Sequence, residues 1–471
     1  MIPLPVPSLP FLSFLAPSAR DAAFALRDDH SSGWVSFGEL REKVLTSLAS
    51  FQAVKRGLVL CGLPRSVEGV LTYLAAAASG HAVMMIDPST PRVENLLEAY
   101  QPEWVIFPEK SGLSAHNLYR RMNSFLSGLS LWQRSEKPAE SLHADLFLLL
   151  LTSGSTGGGK AVRLSYANLA HNTNAIIDSL DLTAKECALL HLPMAYSFGL
   201  SVLNMQLAVG GRVLLTEYSP VSREIWGLAR AQEATLFAGV PAHYEMLARL
   251  GLDRLHVPTL KTFLQAGGKM PVPLTEDILQ QVQARQGKLF IMYGQTEASP
   301  RLTCFPLHII PEKIGAAGYA LKDGKLAIED GEIVYTGPNV MMGYAESRAD
   351  LAQGDTQHGR LATGDLGQLD DDGCLRITGR KQRFAKLYGE RIALDDLEQL
   401  ARAVTTAYAL EGTDRIILMT TAKEATTHQK LKDHLVKATG ITPTWLEVRA
   451  IDAVPYQSTG KVDYRQMREW L

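Results

Sequence analysis

The sequence predicts an α/β fold, with a large N-terminal domain of parallel/mixed sheets flanked by helices and a small C-terminal α+β domain. Short apolar runs alternate with helical patterns along most of the chain, the arrangement that parallel strands joined by crossover helices produce. At 471 residues the chain exceeds what one hydrophobic core usually supports, so it divides into two or more domains. An unbroken apolar run, Leu146 to Leu151, stops abruptly at a stretch of hydroxyl residues and glycines. A continuous apolar run closed by turn residues reads as a strand buried on both faces.

Residues 1–17 are apolar, carry four prolines within the first ten positions and lack a basic stretch. They read as an extended arm packed on the body, not as a signal peptide. Residues 35–51 read as an amphipathic helix after the short segment from Trp34 to Phe37, 57–62 as a strand and 66–78 as an apolar helix. Strands follow at 82–86 and 104–107, and the polar stretch 111–143 reads as an irregular surface connection. Ser165 or Asn168 is placed to cap a helix after the glycine-rich stretch. A strand at 235–241 leads into a helix around 244–250, and Gly267 and Gly268 follow another strand. Beyond residue 393, a helix (395–404), a strand (415–420) and a helix (426–438) make the small C-terminal unit.

A formal net charge of -2 argues against broad electrostatic binding to nucleic acid. The four cysteines are scattered, with no C-x-x-C pair for metal or redox work. No stretch supplies ~18 uninterrupted apolar residues, so neither a transmembrane span nor stable membrane anchoring is expected. A cytoplasmic enzyme is the default expectation.

The stretch Thr152-Ser153-Gly154-Ser155-Thr156-Gly157-Gly158-Gly159-Lys160 carries the first chemistry. Glycines let a ligand approach the backbone, hydroxyls add donors, and the ammonium adds charge, which together make a phosphate cradle. Gly154 to Lys160 fits the spacing of a nucleotide-triphosphatase loop, but that loop needs Ser or Thr next, and Ala161 follows. Tyr293-Gly294-Gln295-Thr296-Glu297 closes a later apolar strand. Thr363-Gly364-Asp365, Thr378-Gly379-Arg380 and the terminal Val454-Pro455 with Gly460-Lys461-Val462-Asp463 come after it.

These ordered motifs, from about residue 35 to 465, resemble the adenylate-forming (AMP-binding) superfamily: acyl- and aryl-CoA ligases, luciferases and peptide-synthetase adenylation domains. Residues 152–162 are similar to its phosphate loop T-S-G-S/T-T-G-x-P-K-G-V, with departures at Gly159 and Ala161. The resemblance implies ATP-dependent activation of a carboxylic acid to an acyl-adenylate with release of pyrophosphate. Transfer to a pantetheine thiol, of CoA or of an acyl carrier protein, follows. ATP and magnesium (Mg2+) are the implied cofactors. Residues 1–380 would form the ATP and acyl domain, 381–383 a hinge, and 384–471 a small mobile lid bearing the catalytic Lys461. At the hinge, Gln382 stands where the family usually carries Asp or Lys.

By the same resemblance Thr152, Ser153, Gly154, Ser155, Thr156, Gly157 and Lys160 hold phosphates. Tyr293 and Gly294 lie along the adenine, and Thr296 meets the α-phosphate. Glu297 offers a hard oxygen to magnesium, Asp365 holds the ribose, and Arg380 contacts ribose or phosphate. Tyr196, Ser197, Gly267 and Gly268 line the acyl pocket, with Gly267 also near the adenine; Lys269 departs from the family's usual Glu or Ala. Amino-acid adenylation domains usually carry Asp where Tyr196 stands, so a carboxylic acid without an α-amino group is favoured over an amino acid loaded onto a carrier protein. An adenylating enzyme with an amine or oxygen acceptor is a second reading. A catalytically degenerate nucleotide-binding protein is a third, and the intact Lys160, Glu297, Asp365, Arg380 and Lys461 speak against it.

Overall fold

The apolar run Leu146–Leu151 is a strand, parallel to Ala82–Ile86 on one side and antiparallel to Ala161–Ser165 on the other. Its side chains feed two hydrophobic clusters: Phe147, Leu148 and Leu150 enter one, Leu146 and Leu149 the other. A shift in the pairing between Leu146 and Leu148 re-aims neighbouring side chains locally. Burying a side chain such as Phe147 contributes about 2–3 kcal/mol, and this double-sided burial is why the run is continuous and not alternating.

The computed structural model describes residues 9–51, 56–90, 93–111, 118–122, 126–136, 138–151, 160–381, 383–387, 390–457 and 459–471. These fall into two units by contact, Met1–Lys325 with Tyr335–Leu361, and Leu326–Val334 with Ala362–Leu471. Most of the predicted phosphate loop (152–159) and the hinge residue Gln382 lie outside the described residues.

Among the described residues, the first unit holds two large sheets, one of eight strands and one of nine. In one, Leu146–Leu151 sits among eight strands in the order Gly343–Ala345, Ala161–Ser165, Leu146–Leu151, Ala82–Ile86, Leu58–Gly62, Trp104–Pro108, Leu129–Arg134, Tyr119–Arg121. The other has nine strands, and its centre is parallel: Arg212–Leu215, Cys187–Leu190, Leu236–Gly239, Thr262–Gln265 and Lys288–Tyr293 lie side by side. Helix Val67–Ala78 is apolar nearly all round and buried along almost its whole length, as a helix enclosed by core on every side should be.

Several local expectations change. The stretch 111–143 includes two strands, Tyr119–Arg121 and Leu129–Arg134, paired antiparallel at one edge of the eight-stranded sheet. Tyr119–Arg121 is the edge strand, and edge strands keep polar residues on their open side, which hid it in the sequence; Leu129–Arg134 lies inside it, between Tyr119–Arg121 and Trp104–Pro108. Pro10–Leu15 forms a helical turn with Phe11 and Phe14 buried, not an extended arm. The first amphipathic helix is Phe37–Ser47, because Ser36 caps it reciprocally with Glu39, and a tighter turn, Leu48–Phe51, follows. Ser165 is the cap of Tyr166–Leu180, and Asn168 returns the bond to the Ser165 backbone.

In the second unit, Tyr408–Glu411, Ile416–Thr420 and Leu446–Ala450 form a three-stranded sheet. Helices Leu394–Ala401 and Ala425–Thr439 contribute Leu397, Ala401, Leu431 and Leu435 to its core. Strands Arg360–Leu369 and Leu375–Arg380 pair antiparallel within a separate four-stranded sheet. Among the described residues no helix is long and apolar enough to cross a membrane.

Candidate active site

The predicted site residues of the first unit follow the carboxyl ends of neighbouring parallel strands. Tyr196 and Ser197 come after Cys187–Leu190, Gly267 and Gly268 after Thr262–Gln265, and Gly294, Thr296 and Glu297 after Lys288–Tyr293. The strand following Cys187–Leu190 lies on one side of it and the next lies on the other, so the connections diverge there. Open parallel sheets bind ligands at such a divergence, outside the carboxyl ends of their strands.

Thr296 and Glu297 begin a short turn whose shape is enforced by packing. A Cβ on Gly294 would stand 1.9 Å from the Pro300 carbonyl oxygen, so only glycine fits. Fully buried Asn339 donates to the carbonyls of Ala298 and Arg301, each at 2.8 Å, and its own carbonyl accepts from Ser299 Oγ. Tyr335 OH in turn donates to Asn339 Oδ1. The Thr296 and Ser197 hydroxyls lie 3.2 Å apart, which joins the expected phosphate-binding threonine to the expected acyl pocket.

Tyr344 links Glu297 to Lys160. Strand Gly343–Ala345 pairs antiparallel with Ala161–Arg163, which puts Tyr344 opposite Val162. Its hydroxyl donates to Glu297 Oε1 at 3.0 Å, while the Lys160 ammonium lies 3.8 Å from the centre of its ring. Burial and the adjacent Glu297 charge hold the Tyr344 hydroxyl well above its ordinary value, so it stays protonated and donates. Arg163, fully buried, donates to the carbonyls of Met342 and Tyr344 at 3.1 Å and clasps this strand. A Cβ on Gly343 would meet Thr356 Oγ1 at 2.4 Å and Arg163 Nη2 at 2.9 Å. Nothing in the sequence announces the partners of Tyr344 and Asn339.

Tyr196 precedes helix Ser197–Val209, and burial pushes its hydroxyl up to about 12. Gly267 has a φ of 84°, a left-handed conformation that favours glycine, and Gln265 Nε2 ties the turn by donating to the Gly268 carbonyl at 2.8 Å. Tyr293 is 9% exposed at the end of its strand, and Lys269 is exposed. In the second unit Asp365 and Arg380 face each other across two strands, with Arg380 Nε 3.3 Å from Asp365 Oδ1. Lys461 closes a turn in which its carbonyl accepts from Gln457 N at 2.8 Å and Tyr456 bridges to Val462. Asp463 then caps helix Tyr464–Arg468.

Among the described residues no group of three or more His, Cys, Asp or Glu could hold a metal by itself. Magnesium needs only one or two carboxylates, its other positions being filled by water and substrate phosphates. Glu297, half-exposed beside Lys160 and Tyr344, fits that requirement. The site can therefore present a cation, two hydroxyls and one oriented carboxylate to a phosphorylated ligand.

The sequence model of the AMP-binding enzyme family matches residues 16–345. A 2-succinylbenzoate–CoA ligase of Bacillus cereus is 28% identical over 387 residues, covering 78% of this chain and 77% of that protein. The protein of the same name from Bacillus cytotoxicus is 33% identical over 271 residues, 55% of this chain and 54% of that one. Among solved structures, o-succinylbenzoate CoA synthetase (MenE) from Bacillus subtilis in complex with the acyl-adenylate intermediate OSB-AMP matches at a TM-score of 0.73, 20% identity and 98% coverage of both chains. ATP-bound MatB from Rhodopseudomonas palustris matches at 0.74, with 20% identity and 98% coverage of each.

Proposed function

The chain belongs to the AMP-binding enzyme family, and from that premise we propose that it is an ATP-dependent acid–CoA ligase. The observation that carries this reading is the group at the strand ends: Thr296 beside Ser197, and Glu297 tied through Tyr344 to Lys160. The relatives' names support CoA as the acceptor and an aryl acid as the favoured substrate class, with 2-succinylbenzoate the first acid to try.

Carboxylate and ATP repel each other, so catalysis is mainly positioning and charge neutralisation. Lys160 and the residues 152–157 meet the phosphates, Thr296 donates to the α-phosphate, and Glu297 holds magnesium, which offsets phosphate charge when bound. Tyr293 faces the adenine, Asp365 holds the ribose, and Arg380 contacts ribose or phosphate. Tyr196, Ser197, Gly267 and Gly268 line the acyl pocket. Lys461 aligns the carboxylate with the α-phosphorus. A carboxylate oxygen attacks that phosphorus, the α–β anhydride bond breaks, and pyrophosphate leaves. Residues 384–471 then turn about Gln382, withdrawing Lys461 and admitting the thiol. The thiol loses its proton and its sulfur attacks the acyl carbon. The acyl–phosphate bond breaks and AMP leaves.

The test is ATP–pyrophosphate exchange across short, medium, long, aryl and α-amino acids, followed by thioester formation with CoA or with a phosphopantetheine carrier protein. Exchange with non-amino acids and a CoA product is expected. Exchange only with amino acids, or with no acid, would overturn the reading.

A further inference from the structure

Arg301 is 3% exposed, and no carboxylate pairs with it among the described residues. The segments of the first unit that lie outside the description contain no Asp or Glu. A guanidinium carries five N–H donors. Here Nε donates to the Met292 sulfur at 3.4 Å and Nη2 to Ser201 Oγ at 3.3 Å, which leaves Nη1 without a partner among the described residues. The guanidinium carbon lies 4.2 Å from the centre of the Phe198 ring. A thioether, one hydroxyl and a ring face do not replace the solvation that a buried charge loses. Burial lowers its pKa to about 10, and it remains a cation at neutral pH.

The backbone around this cation is fixed on both sides. The Arg301 carbonyl accepts from Asn172 Nδ2 at 3.0 Å and from Asn339 Nδ2 at 2.8 Å, and its N–H donates to Asn172 Oδ1. The side chain is thereby aimed between Met292, which precedes Tyr293, and helix Ser197–Val209, whose first residue meets Thr296. Tyr196 senses its charge from the same side. A fully buried guanidinium thus stands against the elements that carry the expected acyl pocket.

We propose that Arg301 anchors a second anionic group of the substrate, so that the preferred acid is a dicarboxylate with one carboxylate adenylated and the other held by the guanidinium. The proposal rests on the ligase reading above and names its substrate class. An arginine receives a carboxylate through two parallel N–H bonds, and the unpartnered Nη1 offers one side of such a fork.

Paired acids test it through kcat/KM in ATP–pyrophosphate exchange: terephthalate against para-toluate, adipate against hexanoate, and 2-succinylbenzoate against the better used of its two monoesters, the one that keeps the reacting carboxylate. The wild-type chain is expected to favour the doubly charged member of at least one pair by ~100-fold or more, since a site built for a polar group rejects analogues that lack it. Arg301→Met should abolish that preference, Arg301→Lys should keep part of it, and the KM for ATP should stay within about threefold in both. Where Arg301→Met fails to fold, Ser201→Ala substitutes for it, with a several-fold loss of the preference expected. Equal use of charged and neutral partners by the wild type would overturn the proposal while leaving the ligase reading intact. A preference surviving Arg301→Met, or a rise confined to the KM for ATP, would overturn it too. Exchange with no acid of any pair would sink the ligase reading, and the proposal with it.

Discussion

Tyr344 does two jobs with one ring. Its face receives the Lys160 ammonium and its hydroxyl donates to Glu297, so a cation and an anion are held apart at defined positions without neutralising each other directly. A charge-assisted bond of this kind contributes about 1.5–3 kcal/mol. Tyr344 is 37% exposed, so solvent competition places the effect toward the lower end. Tyr344→Phe should therefore raise the magnesium concentration needed for half-maximal adenylation by ~10-fold while leaving the melting temperature within about 2 °C. A magnesium titration of pyrophosphate exchange checks this, and an unchanged midpoint would mean that Glu297 needs no positioning.

At the scale of elements, one asparagine organises the turn from Thr296 to Arg301. Asn339→Ala would leave the Ala298 carbonyl and the Tyr335 hydroxyl without their donor or acceptor, while the Arg301 carbonyl would keep only Asn172. Each orphaned buried group costs about 1–3 kcal/mol, so a loss of ~4 kcal/mol in urea unfolding is expected, with adenylation reduced by about tenfold or more in whatever remains folded. A loss below ~1 kcal/mol would show that the turn holds its shape by other means.

A second element-level prediction concerns pH. His191, beyond strand Cys187–Leu190, and His243, on helix Pro241–Leu250, face each other with Nε2 3.2 Å from Nδ1. Burial lowers His243 from its ordinary 6.5 to about 4, and burial together with the neighbouring imidazole holds His191 well below its ordinary value. Both are neutral when folded but take up protons when unfolded. Their contribution is therefore fully present above pH 6.5 and is lost as pH falls from 6.5 toward 4. Stability should fall by up to ~1.4 kcal/mol per pH unit for each histidine within that window. His243→Gln should flatten the slope of the melting temperature against pH; an identical slope would remove the pair from the account.

For the whole molecule, the proposed chemistry divides between a large unit holding Lys160, Thr296 and Glu297 and a smaller one holding Asp365, Arg380 and Lys461. Arg383, the last residue of the proposed hinge, donates to Glu398 at 2.7 Å and to the Ala409 carbonyl at 3.0 Å, so that end of the hinge is tied to the smaller unit. If Lys461 serves only the first half-reaction, Lys461→Ala should lower adenylation by ~1000-fold while thioester formation from a preformed acyl-adenylate stays within about tenfold. Equal losses in both steps would assign Lys461 to structure or to both half-reactions.

The sequence by itself determined the fold class, the order of the motifs and the residue types offered to phosphate, because these depend on local periodicity and spacing. A strand buried on both faces must be apolar throughout, and Gly294 must be glycine wherever the chain doubles back on Pro300. Edge strands such as Tyr119–Arg121 were hidden because their polarity suits solvent as well as a loop would. The partnerships were decided only by the tertiary structure. Tyr344 reaches Lys160 because Gly343–Ala345 pairs with Ala161–Arg163, and Asn339 reaches the Thr296 turn because of where that strand is laid. Burial of Arg301 beside Phe198, with no acid against it among the described residues, is what turns it into a demand for an anion. Long-range register and burial set those relations, and neither is written in the spacing of neighbouring residues.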